Sequence, residues 1–495
     1  MEYLVNSREM KLCDFNTINK LGMPSMVLME RAALAVVEEL EGLDLGKVLV
    51  VCGKGNNGGD GFAIGRLLHL KGIQVEILFI DEEEGCSQET KEQIKIARNY
   101  GVKILDQVEF NKYTTIIDAL LGIGLSRKVR GKYAEIIDEI NKTSAYILAV
   151  DIPSGISADD GKVLGTAVRA HKTVTFAFKK IGLVLYPGAE YAGELVVKDI
   201  GINHLGFEKS PKTYSHTPED LKLVPKRRPY SNKGSYGKVL VIAGSLDMAG
   251  AAYLSAKASY RMGVGLVYIY TVEENREILQ TLIPEAVLTG YNRVDLDEGT
   301  LIGRIKDARV IVIGPGMGIS KATRKILELV LREADVPLII DADAINVLSQ
   351  DLSLLDNHDK DIIITPHLGE MARLIKKDIP AIREDIVGAA REFAFKKDLI
   401  CVLKDARTII ADREGHIYIN QSGSDAMATG GSGDVLTGVI AGLIAQGLNP
   451  KEAASLGVYI HGLAGQEAAK KVGNYGLMAG DIIDGLIEVV NTIIR

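Results

Sequence analysis

Short apolar runs alternate with amphipathic segments along most of the chain. Residues 47–52 (KVLVVC) form a continuous Val-rich run, the pattern of a strand buried on both faces. A glycine-rich stretch, residues 53–61, follows, and Ile64, Leu67 and Leu68 then recur at helical spacing until Gly72. Further strand-like runs lie at 75–80, 114–118, 145–151 and 171–178, with helical segments such as 87–99 and 133–141 between them. The same alternation restarts at Lys238, with runs at 238–243, 266–270, 310–313, 337–341, 361–365 and 399–403. Strands alternating with helices through short loops predict largely parallel sheets covered on both faces, an α/β fold. Residues 46–53 (GKVLVVCG) and 237–244 (GKVLVIAG) agree at six of eight positions. Nothing beyond that segment repeats, so the two read as similar strand-to-loop transitions and not as a duplication.

Between the halves, residues 202–236 lose the pattern and carry Pro211, Pro218, Pro225 and Pro229. This stretch is the candidate linker, with a boundary near 212–222 that gives two domains, 1–215 and 220–495. Within it, 217–225 (TPEDLKLVP) fits a short capped helix. The adjacent Lys226-Arg227-Arg228 reads as a solvated face. Across the 495 residues, 58 Lys and Arg face 65 Asp and Glu for a net charge of −7, which removes the basic excess a general nucleic-acid binder needs. No window of 18 residues is apolar throughout, and the longest candidate, 435–448, is broken by Thr437, Gly438, Gly442 and Gln446, so no membrane span is expected. The first residues (MEYL) lack a basic segment followed by an apolar one, so no signal peptide is expected. Cys13, Cys52, Cys86 and Cys401 stand far apart without a Cys-x-x-Cys pair, which fits a reducing cytoplasm better than a disulfide framework or a zinc site.

Glycine marks the candidate chemistry: 52 residues, more than the ~7% of average composition, cluster just after the apolar runs. Gly53-Lys54-Gly55-Asn56-Asn57-Gly58 matches G-x-G-x-x-G after a strand, and Asp81 lies where a ribose-binding acid would sit. A plain dinucleotide loop needs neither two side-chain amides nor Asp60, since an acid there repels pyrophosphate. Asp60 as a helix cap is the simpler alternative. At two further strand ends stand DALLGIGLSRK (118–128) and DIPSGI (151–156). The glycines with Arg127 and Lys128 suit a phosphate-bearing ligand, and Asp151 suits an acid/base. Oxygen-bearing Asn57, Asp118 and Ser154 suit a hard cation, although each Asp alone would equally brace a turn.

In the second half no G-x-x-x-x-G-K-[ST] occurs. Thr429-Gly430-Gly431-Ser432-Gly433-Asp434 instead precedes a helical pattern whose Val435, Leu436, Val439, Ile440, Leu443 and Ile444 share one face. Amide N–H groups at a helix start bind phosphate, and an acid there can take a proton from a substrate hydroxyl. Asp434 would also sit well there simply as a first-turn acid favoured by the helix dipole. GPGMG (314–318), DADAIN (341–346), TPHLGE (365–370) and LKDA (403–406) follow four other runs. The strand-end place of His367, between Pro366 and Gly369, makes it a ligand candidate as well as an ordinary loop histidine.

NNGGDG, DALLGIGL and DIPSGI, in this order over roughly residues 1–210, resemble the YjeF N-terminal domain, the NAD(P)H-hydrate epimerase family. The resemblance implies a Rossmann-like three-layer domain. It also implies that Asn56, Asn57, Gly58, Gly59, Asp60, Gly122, Ile123, Gly124, Leu125, Ser126, Arg127, Lys128, Tyr133 and Asp151 contact the damaged dinucleotide. Asn57, Asp118 and Ser154 would hold a potassium ion, and Asp151 would be the acid/base. Residues 24–33 (PSMVLMERAA) are similar to the family's N-terminal helix, a dimer or lid element, and fit an amphipathic core helix equally well.

GPGMG, DADAIN, TPHLGE and GGSGD, over roughly 223–495, resemble the YjeF C-terminal, carbohydrate-kinase-like domain, a nucleotide-dependent NAD(P)H-hydrate dehydratase family. This implies a ribokinase-like three-layer domain in which Ala251, Gly316, His367 and Asp434 contact the hydrate, with Asp434 as base. Lys404, Asp405, Ala406, Arg407, Thr408 and Gly433 would bind ADP or ATP, with magnesium. Asp405 stands where relatives carry Gly or Ser. Together the resemblances imply a cytoplasmic, homo-oligomeric enzyme whose partners are NAD(P)H hydrates and an adenine nucleotide, without nucleic acid or membrane. The residues alone also admit a small-molecule kinase fused to a Rossmann-like nucleotide-binding scaffold.

Overall fold

The structure, a computed structural model, describes residues 1–356 and 358–494. The chain divides into two compact units, Tyr3–Pro211 and Met1–Glu2 together with the chain from Lys212 onward. The N-terminal unit contains β1 (Glu2–Val5), α1 (Ser7–Asn19), α2 (Ser25–Glu38), β2 (Val48–Cys52), α3 (Asn56–Leu70), β3 (Val75–Phe79), α4 (Gln88–Asn99), β4 (Lys103–Leu105), β5 (Thr115–Ala119), α5 (Lys132–Lys142), β6 (Tyr146–Val150), β7 (Lys172–Phe176), β8 (Lys179–Lys180), α6 (Ile181–Val184), α7 (Gly188–Ala192) and β9 (Glu194–Lys198). Its main sheet runs β4-β3-β2-β5-β6-β7-β9, parallel throughout. One apolar cluster centred on Val48, Val50, Phe62 and Ile77 fills one side of the sheet. Another, on Leu49, Val51, Ile116 and Ile137, fills the other side, as strands buried on both faces require.

The C-terminal unit contains β10 (Thr213–Ser215), β11 (Lys238–Ile242), α8 (Ala249–Arg261), β12 (Leu266–Val272), α9 (Arg276–Leu282), β13 (Val287–Tyr291), α10 (Glu298–Asp307), β14 (Val310–Ile313), α11 (Lys321–Glu333), β15 (Leu338–Ile340), α12 (Ala342–Leu348), β16 (Ile362–Ile364), α13 (Leu368–Ile375), α14 (Ile379–Glu384), α15 (Ile386–Lys397), β17 (Ile400–Leu403), β18 (Ile409–Ala411), β19 (Ile417–Ile419), α16 (Ser432–Ala445), α17 (Pro450–Gly476) and α18 (Ala479–Ile494). The parallel strands run β13-β12-β11-β14-β15-β16-β17. The antiparallel β18 and β19 and then β10 extend that edge. α16 is apolar on every side and lies buried against α8 and α17. Its Gly438 and Gly442 allow the approach of α8: a Cβ at Gly438 would stand 2.2 Å from the Ser255 carbonyl oxygen. The small residues that interrupt 435–448 are therefore helix contacts. No helix among the described residues is long and apolar enough to cross a membrane.

Both units place their first α/β strand, β2 or β11, beside the strand where the winding direction reverses, β5 or β14. The similar segments 46–53 and 237–244 hold these equivalent positions. Ligands of open α/β sheets bind at such a reversal, beyond the carboxyl ends of the strands. The two compact units divide between Pro211 and Lys212, inside the candidate linker. From Lys212 onward it belongs to the C-terminal unit, as β10 and a 3-10 turn at Pro218–Leu223. Proline marks the irregular path but not its end, because β10 needs only three residues to join β19.

Candidate active sites

In the N-terminal unit the loops after β2, β5 and β6 enclose a cavity of about 640 Å³. Its wall includes Asn56, Asn57, Asp60, Gly122, Ile123, Gly124, Leu125, Ser126, Arg127, Tyr133 and Asp151. Gly58, Gly59 and Lys128 are not in that wall. Gly58 and Gly59 are buried packing positions, where a Cβ on Gly58 would meet the Gly53 carbonyl oxygen at 1.7 Å, while Lys128 is exposed. Asp60 does not cap α3: Gly55 is the N-cap, and Asp60 sits one turn in, facing the cavity. Burial, with Asp151 and Asp14 adding repulsion, holds its carboxyl well above the usual range. Asp81 accepts a hydrogen bond from the Tyr133 hydroxyl.

Asp151 follows β6 with φ of 67°, a left-handed conformation that costs an L residue backbone strain. Its Oδ1 accepts hydrogen bonds from Lys180 Nζ (2.5 Å) and Thr175 Oγ1 (3.0 Å), with Phe176 N at 3.4 Å. Lys180 is almost wholly buried and donates also to Thr175 Oγ1 and the Phe176 carbonyl. All of these donors converge on one oxygen, so Oδ2 is the one left open to a ligand. Asp118 lies under the same rim. Ser154 Oγ donates to its Oδ1 (2.6 Å) and Ser154 N to its Oδ2 (2.8 Å). Burial, opposed by these Ser154 hydrogen bonds, pushes Asp118 up to about 6. Asn57 Nδ2 donates to the Leu121 carbonyl, to which Ser154 Oγ is also bonded, and Asn57 Oδ1 is buried with no hydrogen-bond partner among the described residues. Sequence reasoning missed Lys180, Thr175 and Asp14. The Lys180 segment carries no motif, and Asp14 is one acid in an otherwise ordinary helix.

In the C-terminal unit β14, β15, β16 and β17 are consecutive in the sheet, so the residues after them share one rim. Gly316, at φ 62°, adjoins Ala251: a Cβ there would stand 2.9 Å from the Ala251 Cβ. His367 caps α13 through Nδ1, which accepts from Gly369 N (2.9 Å) and Glu370 N (3.3 Å), and its ring remains half exposed. The capping role accounts for one ring nitrogen, and Nε2 lies 3.4 Å from Glu370 Oε1. Lys404 Nζ pairs with Asp341 Oδ1 at 2.8 Å. Burial alone would lower its affinity for a proton, but Asp341 and Glu370 outweigh that and raise it. A Cβ on Gly433 would lie 3.3 Å from this ammonium, so Lys404 lies directly against the glycine-rich turn. Gly431 (φ 88°) precedes α16, and Asp434 occupies the helix's first turn without capping it. Burial, Asp341 and Asp343 push Asp434 up to about 7, against the pull of Lys404. Arg407 donates to the Gln421 carbonyl, Thr408 Oγ1 to the Asp405 carbonyl, and Asp405 and Ala406 are exposed between β17 and β18. The rim thus joins a carboxyl with a raised pKa, a partly buried ammonium and a glycine-rich helix start, parts that suit deprotonating a hydroxyl beside a transferring phosphoryl group.

Both halves of the chain are similar to known proteins. Residues 25–182 match the family model for the YjeF-related protein N-terminus, and 239–488 match that for NAD(P)H-hydrate dehydratase. The bifunctional NAD(P)H-hydrate repair enzyme of Moorella thermoacetica is 37% identical, with 99% of this chain and 97% of that protein covered. The Escherichia coli enzyme of the same description is 34% identical over 95% of this chain and 90% of its own. A ribokinase-like superfamily protein from Enterococcus faecalis superposes with a TM-score of 0.52 at 30% identity, covering 58% of this chain and 98% of that one. With relatives this similar along nearly its whole length, the chain belongs to the family of bifunctional NAD(P)H-hydrate repair enzymes.

Proposed function

We propose that the two units divide the repair of hydrated NAD(P)H. The N-terminal unit interconverts the R and S epimers at C6 of the nicotinamide ring, and the C-terminal unit returns the S epimer to NAD(P)H with ADP or ATP. The observation that carries this reading is Asp434, held at about 7 beside Lys404 at the start of a glycine-rich helix. Hydroxide leaves carbon poorly. Asp434 takes the proton of the C6 hydroxyl as its oxygen attacks the terminal phosphoryl group, and the helix-start amides and Lys404 stabilise the charge that develops. The C6–O bond then breaks with phosphate leaving, a proton leaves C5 to solvent, and the C5–C6 double bond re-forms. Ala251, Gly316 and His367 place the hydrate, while Lys404–Thr408 and Gly433 place the nucleotide. Magnesium with the nucleotide would neutralise its phosphates.

In the N-terminal unit Asp151 Oδ2 exchanges the proton, and Asn56, Arg127 and the Gly122–Ser126 loop hold the dinucleotide. Asn57, Asp118 and Ser154 fit a potassium ion: the Asn57 Oδ1 is buried without a donor, Asn57 and Ser154 meet at the Leu121 carbonyl, and Ser154 is bonded to Asp118. Such an ion would offset substrate phosphate and order the Asn56–Asp60 loop. Product analysis tests the whole reading. Inorganic phosphate and NAD(P)H from a hydrate plus nucleotide support it, and a stable phosphorylated product overturns it in favour of a small-molecule kinase.

A further inference from the structure

Asp151 is not the only carboxylate in the N-terminal cavity. Met10, Asp14 and Ile18 follow one another at i, i+4 and i+8 on α1, and all three line the cavity. Asp14 is the one acid in that otherwise apolar stripe, a placement that costs solvation without any compensating donor. No described residue hydrogen-bonds its carboxyl. Burial and the repulsion of Asp151, against the attraction of Lys180, push it up to about 7. Asp151 is built the opposite way, with Lys180 and Thr175 donating to its Oδ1. Two carboxyls of the same cavity thus stand in contrasting environments, one clamped by an ammonium and one without a donor. Contrast of this kind separates acid from base in a paired site.

We propose that Asp14 is the second proton-transfer residue of the N-terminal site, the partner of Asp151 in inverting C6 of the hydrated nicotinamide ring. The proposal rests on the epimerase reading above. Inversion requires the hydroxyl to leave one face and an oxygen to arrive on the other, so one group gives a proton and another takes one. Asp14 donates its proton to the C6 hydroxyl, the C6–O bond breaks, and water departs. The lone pair of ring N1 closes a C6=N1 double bond. A water then adds to the opposite face: its oxygen bonds to C6, the π pair returns to N1, and its proton passes to Asp151 Oδ2. The net change is inversion with one solvent oxygen gained and the original hydroxyl oxygen lost as water, and the two carboxyls reset by proton exchange with solvent. The charged groups that line the cavity with Asp14 are Lys11 on its own helix, Lys54, Asp60 from α3, Glu89 from α4, Arg127, Asp151 after β6 and Lys180 from β8, while α2 lends Ser25, Leu28, Met29 and Ala32 to the wall.

The test uses the full chain, pure R hydrate and no nucleotide, in ¹⁸O-labelled water between pH 5.5 and 8.5. Asp14→Asn keeps the side chain's size and removes a carboxyl whose ionisation burial disfavours, so the fold is retained. The expected result is a fall in epimerisation kcat of about 10²-fold or more, with KM within about threefold of wild type. The alkaline limb near pH 7 disappears, Asp14→Glu restores part of the rate, and nucleotide-driven dehydration of pure S hydrate is unchanged. Wild-type product carries one solvent oxygen per inversion, above the enzyme-free rate. Wild-type kcat and pH profile in Asp14→Asn, or retention of the original oxygen by the wild type, overturns the role of Asp14 alone. A wild-type chain that dehydrates S hydrate but never interconverts the epimers overturns the epimerase reading and, with it, the proposal.

Discussion

Asp434→Asn should separate the chemistry of the C-terminal site from its binding and, at the same time, make the unit more stable. With Asp434 pushed up to about 7, its ionised fraction rises from about one tenth at pH 6 to about nine tenths at pH 8. Wild-type dehydration at saturating substrates should therefore climb roughly tenfold over that range. The Asn variant loses the proton acceptor, so its rate should fall by about 10²-fold or more and lose that limb. Nucleotide affinity should stay within about twofold, because the proposed phosphate holders are the helix-start amides and Lys404, not Asp434. Stability should move the other way. The folded carboxyl holds its proton up to about 7 against 3.8 for the ordinary group, so its ionisation opposes folding. That penalty is absent below about pH 4, grows between about 4 and 7, and is complete above 7. At full strength the shift amounts to about 4 kcal/mol, and solvent access to the site reduces the expected gain of Asn at pH 8 to on the order of 2 kcal/mol. The assay is thermal denaturation at pH 4 and pH 8, read at the transition that adenine nucleotide shifts, alongside steady-state dehydration of S hydrate. A variant that dehydrates at the wild-type rate, or that is equally destabilised at both pH values, would refute the argument.

Four other outcomes follow from the geometry. Asp151→Ala should abolish epimerisation, measured by chromatography of the two hydrates, while leaving S-hydrate dehydration intact. Equal loss of both activities would make Asp151 a structural brace. Lys180→Met should leave the Asp151 Oδ1 without its shortest donor and lower epimerisation kcat by about 10-fold or more with little change in KM. Asn57→Ala should weaken any activation by potassium and raise the substrate KM without removing turnover, as a titration of potassium against rate will show. Gly431→Ala should cost about 1–3 kcal/mol in the nucleotide-sensitive transition, because that position has φ 88° and a Cβ there would stand 2.6 Å from Leu254 Cδ1.

Most strands were legible because parallel strands buried on both faces are apolar without interruption. Residues 310–313 read as a strand, and β14 has those bounds. The edge strand β13 and the short β18 and β19 were not: β13 exposes Val287, and β18 and β19 have three residues each, too few for a pattern to register. The glycine loops and Asp434 announced themselves by composition next to a strand or helix. Asp14 and Lys180 could not, because their significance is spatial: one arrives from the chain's first helix, the other from a two-residue strand, and only the fold brings both to Asp151. β10, inside the candidate linker, went unread for a related reason, since prolines there bend a path that still donates a strand to the sheet.

The central claim, that one chain repairs both epimers, is tested most directly by incubating the full-length protein with an equal mixture of R and S hydrates and excess adenine nucleotide. NADH absorbance and released phosphate are followed to completion. The account predicts that all of the hydrate is consumed, with one phosphate released per NADH formed and a rate that does not fall to the enzyme-free level once the S form is gone. A reaction that stops with the R hydrate intact would contradict the epimerase assignment, and a phosphorylated product without NADH would contradict the dehydratase assignment.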